Sequence, residues 1–157
     1  MRRIQWKKGW FSSKYKLYES GEEVGVFSQS AFTGSATGTF NEKRIGFKKR
    51  GIFSSVTKIT DMDSNEPLGT LKFNTWGNKA EITLDGKKYR WRYDDFWGTK
   101  WAIMKNSDRL ITYKSSGSGG KLESASDSDV LLMSGFFIHN HYLSALIVVA
   151  VITIIIA

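Results

Sequence analysis

Residues 80–93 read AEITLDGKKYRWRY. Ala80, Ile82 and Leu84 alternate with Glu81 and Thr83, and the run stops at Asp85-Gly86. Tyr89, Trp91 and Tyr93 then alternate with Lys88, Arg90 and Arg92. A period of two is that of a strand with one buried face. Asp-Gly between two such runs signals a hairpin, because both central residues of its tight turn need φ > 0. Trp91 is expected in a core, with Arg90 and Arg92 sharing the opposite face.

The same grammar extends in both directions. Gly77-Asn78 separates Leu71/Phe73 from Ala80/Ile82, and Asn106-Ser107-Asp108 separates Trp101/Ile103 from Leu110/Ile111/Tyr113. Ser20-Gly21 divides Tyr15/Leu17 from Val24/Val26. At least eight strands are expected before residue 114, with turns about every 8–12 residues, as a sandwich or barrel requires. No helical period of useful length precedes residue 128. The run Ser115-Ser116-Gly117-Ser118-Gly119-Gly120 fits an interdomain linker or a hairpin loop between two late strands. The hairpin is preferred, since too little chain follows to build a second domain.

The 157 residues are 41% hydrophobic, 14% aromatic and 24% charged, which supports a folded core over disorder. The chain has no cysteine, which removes disulfides, thiolate zinc sites and a Cys nucleophile. It has only two histidines, and no phosphate loop, nucleophile elbow or zinc helix. The expectation is a binding module that is not an enzyme, without catalytic residues, metal or cofactor. The basic start, Met1-Arg2-Arg3-Ile4-Gln5-Trp6-Lys7-Lys8, has no apolar segment behind it, so secretion is not expected.

The other end of the sequence is uncharged. From Val130 to Ala157 there is no Asp, Glu, Lys or Arg, and Leu143–Ala157 reads LSALIVVAVITIIIA. A membrane span needs roughly 20 apolar residues. Leu143–Ala157 alone would reach only about 22 Å as a helix, and His139-Asn140-His141 stands before it. A fully buried helix and a pair of buried strands are the other readings.

Short antiparallel strands followed by one wholly apolar helix resemble the tubby C-terminal-like fold of tubby, LURP-one-related and phospholipid scramblase-like proteins. The residues that carry the resemblance include Tyr15-Lys16-Leu17-Tyr18 with Val24-Gly25, Leu68-Gly69-Thr70-Leu71-Lys72-Phe73, and Ala80–Leu84 leading into Tyr89-Arg90-Trp91. They continue through Trp101-Ala102-Ile103 to Asp129–Ile138, which is similar to the short bacterial members. The resemblance implies one domain, residues 1–157: a closed antiparallel β-barrel of about 10–12 strands around a C-terminal hydrophobic helix within 129–157. Such a barrel has room for about half of that segment. Either Val130–Ile138 is a last strand and Leu143–Ala157 the barrel helix, or Asp129–Tyr142 is the barrel helix and Leu143–Ala157 is surplus, free for a membrane or a partner. The resemblance favours the buried Leu143–Ala157.

Basic residues exceed acidic ones, 23 to 15, for a net charge of +8. They cluster at Lys7 and Lys8, at Lys43, Arg44, Lys48, Lys49 and Arg50, and at Arg90 and Arg92. Brought together, these would attract anionic membrane lipid, the expected partner. Taken singly, each also fits a solvated strand face or edge protection. Trp6, Trp10 and Phe11 beside Lys7 and Lys8 suit a membrane interface better than nucleic acid, for which no motif appears. His139 and His141 are expected as polar residues at a helix start or interface, and Asp94-Asp95 as a turn. The resulting expectation is a non-enzymatic module at the cytosolic face of a membrane, binding anionic phospholipid. The alternative is a scaffold subunit whose apolar tail docks into a protein partner or anchors it to the membrane.

Overall fold

The structure, a computed structural model, describes residues 1–9, 13–30, 33–49, 54–74 and 76–157. Twelve strands follow in chain order: β1 (Arg2–Lys8), β2 (Lys14–Glu19), β3 (Glu22–Gln29), β4 (Ala36–Phe40), β5 (Lys43–Lys49) and β6 (Val56–Asp61). Next come β7 (Pro67–Phe73), β8 (Lys79–Leu84), β9 (Lys87–Tyr93), β10 (Lys100–Lys105), β11 (Asp108–Ser116) and β12 (Gly119–Ser124). One helix, α1 (Asp129–Ile156), completes the chain. Every strand pairs antiparallel with its sequence neighbours, and β1 closes on β12 from Arg2↔Ser124 to Lys7↔Gly119. Closure leaves no sheet edge.

The quoted hairpin folds as its pattern predicts. Asp85 and Gly86 have φ of 49° and 71°, and Ala80, Ile82, Leu84 and Trp91 point into the core. Ser20-Gly21 and Asn41-Glu42 make equivalent turns, both residues at positive φ. The Ser/Gly run is the β11–β12 hairpin, and Gly119 and Gly120 have a packing reason. The Trp6 indole lies so close over Gly120 that a Cβ there would collide with it.

Eight strands make a barrel that side chains alone can fill; twelve leave a wider lumen. Here α1 fills it. Strands of about seven residues, tilted as barrels require, give a height of roughly 18 Å. Fourteen helical residues, Asp129–Tyr142, already measure about 21 Å. The first half of α1 therefore consumes the barrel, and Val130–Asn140 are all buried. Phe136 and Phe137 pack among Trp6, Tyr15, Phe27, Phe47 and Tyr113, with Phe47 stacked on Phe137 at 4.9 Å. The helix starts cleanly: the Ser128 side chain accepts from Leu131 N at 3.2 Å, and Asp129 pairs with Arg2 at 3.0 Å.

This overturns the expectation that Leu143–Ala157 is the buried helix. Val130–Ile138 is helical, not a last strand, and the described side chains from Ser144 onward are exposed. Geometry decides the matter: the chain enters the barrel at Asp129, and the lumen is full by Tyr142. His139, Asn140 and His141 correspondingly sit in the last turn inside the barrel, not at a helix start. Trp6 is also corrected, from interface to core, where it meets Phe136 edge-on at 5.2 Å.

Candidate functional site

In an up-and-down barrel the connections alternate between two ends. Tight turns at 20–21, 41–42, 85–86 and 106–107 lie at the end where α1 begins. The longer connections at 9–13, 30–35, 50–55, 74–78 and 94–99 lie at the end where α1 leaves. Two connections break this division: 62–66 lies at the end where α1 begins, and the tight 117–118 turn lies at the end where it leaves.

Around the emerging helix lies a polar collar. His139 stacks on Trp101 at 3.8 Å, and its Nδ1 is 3.0 Å from the Tyr93 hydroxyl. Burial pushes its pKa down to about 3, helped by Lys8, so the ring is neutral near pH 7. The Tyr15 hydroxyl donates to Asn140 Oδ1 at 2.5 Å, and burial raises its pKa to about 12. His141 stacks on Phe73 at 3.8 Å, while Lys49 Nζ donates to its Nδ1 at 2.5 Å. Burial lowers the pKa of Lys49, and burial together with Lys49 lowers that of His141 to about 4. The Tyr142 hydroxyl reaches Asn74 Oδ1 at 3.1 Å and the Lys79 carbonyl, and accepts from Asn74 N at 3.3 Å. These groups pair with one another around the helix where it leaves the lumen.

Outside the collar the exit end is basic. Lys7, Lys14, Lys16, Lys48, Lys58, Lys72, Lys79, Arg92, Lys100, Lys114 and Lys121 are exposed in the strand halves nearer this end. Only Glu81, Asp94 and Asp95 oppose them there; every other Asp and Glu lies toward the opposite end. The opposite end is closer to balance, since Arg2, Arg3, Lys43, Arg44, Lys87, Lys88, Lys105 and Arg109 stand among its acids, so the excess of positive charge is concentrated at the exit end, a feature that no single run of sequence displays.

The predicted basic residues fall into place unevenly. Lys7 and Lys8 lie at the exit rim, over the rings of Tyr18 and Tyr15 at 5.5 and 5.3 Å. Lys48 is exposed there, whereas Lys49 faces inward to His141. Arg50 lies outside the described residues, as do Trp10 and Phe11. Lys43 and Arg44 occupy the opposite end of β5, and Arg44 is bound to Asp63 at 2.7 Å. The Lys43–Arg50 group is therefore not one patch: a seven-residue strand carries its two ends to opposite poles. Arg90 and Arg92 do share the outer face of β9, held by the Asn106 carbonyl at 2.7 Å and Asp94 at 3.5 Å. Among the described residues, no group of three or more His, Asp and Glu gathers to hold a metal ion.

From this basic end projects the rest of α1. Leu146, Ile147, Val149, Val151, Ile152, Ile154, Ile155 and Ile156 are exposed, and the helix has no polar stripe. By length and composition, α1 as a whole could cross a membrane. Three more residues escaped the sequence reading. Trp76, Phe96 and Trp97 are 87%, 92% and 82% exposed, on the 74–78 and 94–99 connections at the same end. Their signal was available: they stand in every second connection, which a meander gathers at one end.

No family model matches the chain, and no curated protein or solved structure matches it.

Proposed function

We propose that this protein is a non-enzymatic, membrane-associated module that holds anionic phospholipid at the helix-exit end of its barrel. The carrying observation is the coincidence of two features at one pole. The apolar half of α1 leaves the barrel through a ring of exposed lysines. Hydrocarbon suits the one, and anionic headgroups suit the other. The exposed helix from Leu143 to Ile156 reaches about 21 Å, some two thirds of a hydrocarbon core. The pole that holds most of the acids faces away from the lipid, which lowers repulsion. Positive charge beside an apolar segment supports a cytosolic face for the barrel. The tubby-like resemblance belongs to the same proposal, since a closed barrel around a helix is the architecture it implied. Collar groups that hydrogen-bond each other around the helix suit a plug better than a reaction centre.

Vesicle flotation tests the reading. Recovery with phosphatidylcholine vesicles should rise when phosphatidylserine is added, and fall as salt shortens the screening length from about 10 Å to about 3 Å. Replacing Lys7, Lys48, Lys79 and Lys100 with Glu should lower partition by about three decades, at about 1 kcal/mol per cation. Binding indifferent to lipid charge, salt and these replacements would reject the electrostatic mechanism. No flotation, with the tail instead captured in a defined protein complex, would favour the scaffold reading.

A further inference from the structure

Resting on that reading, we propose that the loops at 74–78 and 94–99 form a second, one-sided membrane anchor, inserting Trp76, Phe96 and Trp97 into the interfacial layer of the bilayer. The barrel consigns its other described tryptophans, Trp6, Trp91 and Trp101, to the core. Against that background, three almost fully exposed aromatic side chains at one pole require an explanation. The tight turns at the opposite pole carry Ser20-Gly21, Asn41-Glu42, Asp85-Gly86 and Asn106-Ser107, none of them aromatic.

Both loops are built to present their tips. Asp95 Oδ1 accepts from Thr99 N at 2.9 Å and from Lys100 N at 3.1 Å, and Asp95 Oδ2 accepts from the Thr99 hydroxyl. This closes the loop beneath Phe96 and Trp97, which meet edge-on at 5.5 Å. Gly98 at φ 69° completes the bend. In the other loop Asn74 Oδ1 accepts from Asn78 N and Lys79 N at 3.3 and 3.2 Å. That loop is also bonded to Tyr142, the last residue of α1 inside the lumen. The Trp76 loop is therefore tied to the point where the apolar helix emerges.

The chemistry fits the interfacial layer of an anionic bilayer. Indole and phenyl rings beside Lys79, Arg92 and Lys100 combine an apolar body with cations, as residues at the headgroup level do. The two loops flank the β8–β9 hairpin, so they lie about two strand spacings, or about 10 Å, apart on the rim. An anchor confined to that arc, with the helix as a second attachment, fixes the rotation of the barrel about its axis. A helix alone would leave the barrel free to swivel.

Intrinsic fluorescence of the full chain, moved from detergent into phosphatidylcholine/phosphatidylserine vesicles, tests this. The expected result is a blue shift of the emission, together with protection from acrylamide and quenching by lipids brominated near the headgroup. All three responses should fall severalfold in the Trp76→Phe/Trp97→Phe double variant, which keeps the buried indoles and still floats. A double variant that floats and retains the full blue shift, protection and quenching would overturn the loop anchor while leaving the helix anchor intact. Loss of flotation by the parent chain would overturn the membrane reading itself. Protection that appears without vesicles and scales with protein concentration would assign the rim to a contact between copies, and would also overturn the proposal.

Discussion

Gly135 shows how tightly the helix is held. A Cβ at this position would run into the Tyr113 ring, whose hydroxyl donates to the Leu132 carbonyl at 2.8 Å. Tyr113 is itself buried between β11 and α1, so the ring has nowhere to go. Gly135→Ala should gain a little helix propensity and lose more to overpacking, for a net cost of about 1–3 kcal/mol. Urea unfolding of the variant against the parent measures it; an unchanged midpoint would show that Tyr113 yields. His139 carries a second consequence. It is neutral in the barrel, with a pKa of about 3, but takes a proton near pH 6.5 once unfolded. Protons therefore favour the unfolded chain below pH 6.5. The contribution of His139 is complete above that pH and fades as pH falls toward 3. At pH 5.5 the loss is about 1.4 kcal/mol, or roughly 3–5 °C in Tm. The pH slope of Tm between 7.5 and 5.5 should flatten in His139→Gln; a slope that stays the same would remove this residue from the account.

At the scale of the element, α1 is two helices in one. Val130, Leu131, Leu132, Met133, Phe136, Phe137 and Ile138 are buried, each contributing about 1.5–3 kcal/mol. Their sum reaches the net stability of an ordinary domain, about 5–15 kcal/mol. The part after Tyr142 contributes nothing comparable to the barrel. A chain truncated after Tyr142 should keep cooperative thermal unfolding and lose its need for detergent. A chain truncated after Ser128 should not fold. Failure of the 1–142 chain to unfold cooperatively would mean that the tail packs back onto the barrel. The sequence offered this division as one of two readings and did not choose it. Leu131–Ile138 and Leu143–Ile156 are both apolar and uncharged, although only the first carries aromatic rings, and the barrel's height separates them. The β8–β9 hairpin was legible because Asp85-Gly86 names its own dihedral angles. The Asn41-Glu42 turn was not, because Glu42 sits at positive φ with no sequence mark. Lys49 could have been read: Ile45, Phe47 and Lys49 share one parity on β5, so the lysine had to face inward, toward His141.

For the whole molecule, the decisive property is polarity along one axis. Charge, aromatic tips and the apolar helix coincide at one end, and acids gather at the other. The sequence shows these features scattered over the whole chain, since each strand runs between poles and mixes them. Topology sorts what linear order hides, which is why Lys43 and Lys48, five positions apart, are neighbours in sequence only. The central claim is that the exit pole meets lipid and the helix beyond Tyr142 lies in hydrocarbon. The chain has no cysteine, so single thiols can be installed cleanly. Ala150→Cys places one on the emergent helix, and Ser107→Cys places one at the opposite pole. Labelling of vesicle-bound full-length chain with a membrane-impermeant maleimide is the most direct measurement. The account predicts that the thiol at 107 reacts as fast as in detergent-free solvent, while the thiol at 150 is protected until the vesicles are dissolved. Equal reactivity of the two on intact vesicles, with the protein bound, would contradict it.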